Sequence, residues 1–142
     1  VDAAQPAPAA VATPDTAGVR VLVADDEDDI RALVTLAVRK AGCTVVGSVA
    51  DGSAALDLAR AELPHLAVLD VSMPGATGLE VCVALRADPA TAGIRILLLS
   101  AGASLEDVAA GLAAGADAYL AKPFQVSGLV QQVRALTARQ PA

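Results

Sequence analysis

Asp25, Asp26, Asp70, Ser100 and Lys122 place three carboxylates, a hydroxyl and an ammonium at the ends of apolar runs in this 142-residue chain. The runs are VRVLVA, LAVLD, IRILLLS and AYLAK. Each reads as a buried parallel strand, short, apolar and rich in branched side chains. In an open α/β sheet the crevice beyond the strand C-termini is where ligands bind, so the five side chains are expected on one rim. Crowded carboxylates repel one another unless a cation or protons intervene. A small set of oxygen ligands suits Mg2+, which keeps several waters and prefers a carboxylate-plus-phosphate site. A carboxylate can also act as a nucleophile toward phosphorus once a metal suppresses the repulsion. The hydroxyl can donate to a phosphoryl oxygen, and the ammonium can pair with the carboxylate before reaction and with phosphate afterwards.

Simpler roles exist for each residue alone. An acidic first helical turn, favoured by the macrodipole, accounts for Glu27, Asp28 and Asp29. It accounts less well for Asp25 and Asp26, which lie at the strand end. Asp70 alone is a loop cap half the time, but the following loop VSMPGATG carries Pro74, Gly75 and Gly78, which bend the backbone back toward the carboxylate. Ser100 alone is a strand-end cap, and Lys122 alone is a solvated charge. Their joint placement favours the metal-and-phosphoryl reading.

The elements that carry them alternate without a break from Val19. Strand 19–24 precedes a helix at 27–41, where Ile30, Leu33, Val34, Ala37, Val38 and Ala41 recur at three and four residues. Gly42 stops it. Strand 44–49, helix 53–62, strand 66–70, helix 78–88 and strand 94–100 follow. Helix 104–114 has Ser104 as a candidate N-cap, with Glu106 and Asp107 in its first turn. Strand 117–121 and helix 125–138 complete the pattern. Five βα units with right-handed crossovers predict an α/β domain with a parallel sheet covered on both faces.

Composition narrows the function classes. The chain has room for one well-buried core. Although 55% of its residues are hydrophobic, no apolar stretch approaches the roughly 18 residues of a membrane span. A net charge of −6 argues against a basic nucleic-acid surface. Cys43 and Cys82 form no metal-type cluster and read as reduced core residues of a cytoplasmic protein. Residues 1–18 are Ala, Pro and small polar residues without periodicity and read as a disordered tail or linker from something upstream. His65 shows no partner motif and reads as a loop histidine.

The stretches VLVADDE, LAVLDVSMPGATGLE, LLLSA and GADAYLAKPF resemble the receiver domain of two-component response regulators, in order and in spacing, with 44, 30 and 22 residues separating Asp26, Asp70, Ser100 and Lys122. The resemblance covers residues 19–138 of the domain assigned to 19–139. It implies a doubly wound, flavodoxin-like sheet of five parallel strands in the order 2-1-3-4-5 with five helices. It further implies Asp70 as phosphoacceptor, Asp26 as direct Mg2+ ligand, Asp25 acting through water, and the Ser72 backbone carbonyl as a further ligand. Ser100 and Lys122 hold phosphoryl oxygens in the family, Lys122-Pro123 matches a peptide that is usually cis there, and Tyr119, the chain's only Tyr, matches the aromatic switch position. The hydroxyl position is Ser where Thr is commoner, which removes a methyl that restricts the rotamer.

The implied function is a regulatory switch rather than an enzyme. A histidine kinase, phosphotransfer protein or small phosphodonor supplies the phosphoryl group, and a downstream effector reads a shifted packing. The alternative is a degenerate receiver, a phosphorylation-independent binding module, but such a module normally lacks Asp70, Lys122 or an acidic residue, and all are present. A haloacid-dehalogenase-type phosphatase would want a second Asp where Ser72 stands. A flavodoxin-like FMN carrier would need a hydroxyl- and Gly-rich loop where Asp25-Asp26 stands. Relatives with winged-helix domains dimerise through ion pairs on the fourth helix, fifth strand and fifth helix. Here the fourth helix offers Glu106 and Asp107 but no basic residue, with Arg134 and Arg139 on or near the fifth, so a monomer or weak dimer is expected.

Overall fold

The computed structural model describes residues 18–102 and 104–138. In chain order the elements are β1 (Arg20–Ala24), α1 (Asp28–Lys40), β2 (Thr44–Val49), α2 (Gly52–Glu62), β3 (Leu66–Asp70), α3 (Gly78–Ala87), β4 (Arg95–Ser100), α4 (Leu105–Ala113), β5 (Ala118–Ala121) and α5 (Val126–Thr137). All five strands are parallel and lie in the order β2-β1-β3-β4-β5. This is the expected doubly wound sheet with five helices. Four helices are a residue or two shorter than the periodicity predicts and α2 opens one residue earlier, at Gly52, and caps explain several ends. Ser104 is the N-cap of α4, accepting from the Asp107 N–H rather than joining the helix. Asp51 caps α2, and Thr77 and Glu80 form a reciprocal capping box on α3. The expected tail lies outside the described residues up to position 17, as does Arg139.

Period-two alternation sends the strand side chains to two separate cores. Val21, Val23, Val68, Leu97 and Leu99 face α1 and α5, where Val34, Val38, Leu129 and Val133 meet them. Leu22, Leu69, Ile96 and Leu98 face α2 and α3, where Ala59, Val81 and Leu85 meet them. Burying each such Leu, Val or Ile contributes about 1.5–3 kcal/mol. Cys43 and Cys82 are free thiols within these cores, and burial pushes both pKa values up, which leaves them inert. Among the described residues no helix is long and apolar enough to cross a membrane.

Two features govern the C-terminal rim. Gly78 opens α3 so close to the end of β3 that a Cβ there would run into the Asp70 carbonyl and the Val71 backbone; its N–H donates to the Val71 carbonyl at 2.9 Å. Helix α4 is thinly attached, since Gly111 is its one buried residue, while Leu105 is 89% exposed and Leu112 is also exposed. The C-terminal end of α4 is tied down by Arg86 of α3, whose guanidinium donates to the Gly115 and Ala92 carbonyls at 2.9 Å and pairs with Asp117 at 2.9 Å.

Candidate functional site

Four strand ends build the site. β1 ends one residue before Asp25, whose N–H donates to the Val49 carbonyl of β2 at 3.1 Å, holding the acid against the sheet. Asp25 is fully buried, whereas Asp26 beside it is exposed. β3 ends on Asp70, also buried, with its Oδ1 accepting from the Ser72 N–H at 3.3 Å. Ser100 ends β4, and Lys122 follows β5 by one residue, its N–H donating to the Ser100 carbonyl at 2.8 Å. The Lys122-Pro123 peptide is cis.

The Lys122 ammonium is the hub. It lies 3.0 Å from Asp25 Oδ2, 3.1 Å from Glu27 Oε1 and 3.4 Å from Asp70 Oδ1. The Glu27 contact is a hydrogen bond. The Asp25 contact lacks hydrogen-bond alignment, so Asp25 Oδ2 is a buried oxygen held by charge alone. Burial works to lower the Lys122 pKa, yet Asp25, Glu27 and the charge on Asp70 outweigh it and raise the pKa. Asp70 goes the other way for an acid. Burial first, and then the negative charge of Asp25, push its pKa from 3.8 to about 6 in spite of Lys122 and the Ser72 N–H.

Carboxylate oxygens of Asp25, Asp26 and Asp70 lie within 4.8 Å of one another. A divalent cation fits this set. The donors are hard oxygens, one of them is buried without a hydrogen-bond partner, and a single ammonium leaves the acidic cluster short of positive charge.

Ser100 and Tyr119 sit on the neighbouring side of the rim. The Ser100 hydroxyl accepts from the Gly102 N–H at 3.0 Å, and the Tyr119 hydroxyl donates to the Gly102 carbonyl at 2.6 Å. The half-buried Tyr119 ring lies against Gly111 of α4 and near Leu98, so closely that a Cβ on Gly111 would stand 2.8 Å from ring Cδ2. One residue, Gly102, thus takes both the hydroxyl of β4 and the phenol of β5.

A family model described as the response regulator receiver domain matches residues 21–134. The chain belongs to that family. As a receiver domain it is 42% identical over 123 residues to the DNA-binding response regulator MtrA of Mycolicibacterium smegmatis, covering 85% of this chain and 51% of that protein. It is 43% identical over 121 residues to the transcriptional regulatory protein PrrA of Mycobacterium bovis, covering 85% and 51%. The chain spans about half the length of these curated relatives. The signal receiver domain of the response regulator NarL from Mycobacterium tuberculosis superposes with a TM-score of 0.79 at 37% identity, covering 87% of this chain and 99% of that one. A response regulator from Chloroflexus aurantiacus gives 0.79 at 36% identity, covering 86% and 99%.

The receiver fold therefore brings Asp25, Asp26, Asp70 and Lys122 together, as the strand-end pattern predicts. It sets Ser100, the last residue of β4, and Tyr119, in β5, on the adjoining side, both in contact with Gly102 of the β4–α4 loop. Ser72 is exposed on the β3–α3 loop with its N–H turned to Asp70. His65, away from the site, accepts from the Arg20 N–H through Nδ1 at 3.0 Å. Glu27, which reads in the sequence as a helix-turn acid, is instead a partner of Lys122 from 95 residues away. Its place directly after Asp25-Asp26 was the one available signal.

Proposed function

We propose that this receiver domain accepts a phosphoryl group on Asp70 and passes the event to a partner-binding surface on α4, β5 and α5. The observation that carries the reading is Asp70 itself: a buried carboxylate at a strand end, 3.4 Å from an ammonium and inside a cluster of three acids. A carboxylate in that place has no need to be there for stability, and its raised pKa marks it as costly.

An Asp70 carboxylate oxygen attacks the phosphorus of a phosphohistidine or an acyl phosphate. The P–N or P–O bond to the donor breaks, and its electron pair leaves with the imidazole or the carboxylate. Water reverses the state by attacking phosphorus, breaking the P–O bond to Asp70 and releasing orthophosphate. Asp26 directly, Asp25 through water, Asp70 and the Ser72 carbonyl would hold Mg2+. Bound there, the ion offsets the repulsion between the carboxylates and the incoming phosphoryl group. Lys122 pairs with one phosphoryl oxygen, and the Ser100 hydroxyl donates to another. That movement of Ser100 changes its contact with Gly102, and through the Gly102 carbonyl it reaches Tyr119 and α4. A cytoplasmic histidine kinase or phosphotransfer protein is the donor, and an effector protein or domain is the reader, with no nucleic acid bound by this domain itself.

The test is labelling by acetyl phosphate. Wild type gains about 80 Da, one phosphoryl group, only with Mg2+ present, and Asp70→Asn gains nothing while keeping its circular dichroism. Incorporation at the wild-type rate in Asp70→Asn would overturn the assignment.

A further inference from the structure

Lys122 has three N–H donors, and three carboxylates already surround it. The three are not equivalent. Asp25 is fully buried, its Oδ2 has no hydrogen bond, and among the described residues the ammonium is the one cation in salt-bridge contact with its carboxylate. Asp70 is 4% exposed at the side chain and is the reacting group. Glu27 is 62% exposed at the side chain. Glu27 is also the N-cap residue of α1 but makes no side-chain cap. Its carboxylate reaches across to Lys122 instead.

A phosphoryl group on Asp70 brings a charge of roughly −1.5 to −2 and three acceptor oxygens within reach of the same ammonium. The phosphoryl group then competes with Asp25 and Glu27 for the ammonium. Releasing Asp25 would strand a buried charge. Releasing Glu27 merely returns an exposed carboxylate to water. Resting on the proposed acceptor role of Asp70, we propose that Glu27 is a positioning residue that restrains the Lys122 ammonium and competes with the phosphoryl group for it, thereby shortening the life of the phosphorylated state. Exposed ion pairs are weak, so the effect is modest, about two- to fivefold in lifetime.

The decisive experiment follows loss of label after acetyl phosphate is removed, in wild type, Glu27→Gln, Lys122→Ala and the double variant. Glu27→Gln is expected to hold its label about two- to fivefold longer than wild type, with no such difference in the Lys122→Ala background. In metal-free, unlabelled protein the Lys122 15Nζ resonance is expected to shift in Glu27→Gln, a readout independent of phosphotransfer. Equal decay in wild type and Glu27→Gln overturns the inference alone. So does a lifetime gain that persists without Lys122, since Glu27 would then act on water or metal directly. Failure of wild type to take label overturns the acceptor role and this inference with it.

Discussion

Replacing Asp70 with Asn should stabilise the metal-free domain at neutral pH. The carboxyl of Asp70 has a pKa near 6 in the fold against 3.8 when unfolded. A group raised in this way favours folding in its protonated form. Its contribution is present below about pH 3.8 and is lost as pH rises through about 6. At about 1.4 kcal/mol per pH unit, the rise sets a ceiling of about 3 kcal/mol on the cost of ionising Asp70 in place. Exposed Asp26 and Glu27 open the rim to water, whose screening trims that figure to about 1–2 kcal/mol. Asn preserves the shape and the acceptor for the Ser72 N–H, while Lys122 retains Asp25 and Glu27. Urea unfolding in EDTA should therefore show Asp70→Asn more stable than wild type by about 1–2 kcal/mol at pH 7.5, with the gap closing toward about pH 4. Millimolar Mg2+ should narrow the gap from the other side, because binding favours the folded wild type. A variant no more stable than wild type at neutral pH, or a gap that ignores pH, would refute the reasoning.

Other perturbations divide the labour of the site. Asp26→Ala should weaken Mg2+ binding and slow acetyl phosphate labelling, while the melting temperature in EDTA holds or rises through relief of repulsion; a sharp drop would mark Asp26 as a structural cap. Lys122→Ala should cost about 3 kcal/mol in denaturant unfolding, because Asp25 loses its counter-charge. It should still take label at Asp70 but lose the label-induced NMR shifts at Tyr119; shifts equal to wild type would break the link from Lys122 to the switch. Beryllofluoride-treated protein at tens of micromolar should sediment as a monomer or weak dimer. Arg134 should not change this, since its guanidinium is engaged with the Lys40 carbonyl at 3.2 Å; a tight dimer dispersed by Arg134→Ala would contradict that.

The strands and their ends were legible because burial on both faces demands unbroken apolar runs, and a charged residue closing such a run stands out. Asp25, Asp70 and Lys122 were found that way. β2 was legible at its observed bounds, 44–49, but the seat of Gly47 under the Leu58 side chain and the register shift opposite Val21 and Leu22 were not, because both depend on packing between elements. Glu27 carried no periodic signal, because its partner is set by how β5 lies relative to β1, which local pattern does not encode. In the sequence Gly102 is only a small residue two places after Ser100. Its part is played by backbone N–H and carbonyl groups, which every residue possesses. Nothing in the sequence marks Arg86, and only the packed structure shows its guanidinium gathering carbonyls from two loops.

The thin seating of α4 bears on how such a domain changes over generations. Its outward positions, Leu105, Glu106, Ala109, Leu112 and Ala113, face water and contribute little to the fold. Substitutions at such positions usually move stability by less than about 0.5 kcal/mol. The proposed partner surface can thus be rewritten while the acidic rim stays untouched, and duplicated copies can part company in what they present there before they differ in chemistry. Gly111 is the exception. Any side chain there meets the Tyr119 ring, so the helix is open to innovation on every side but the one that listens to β5.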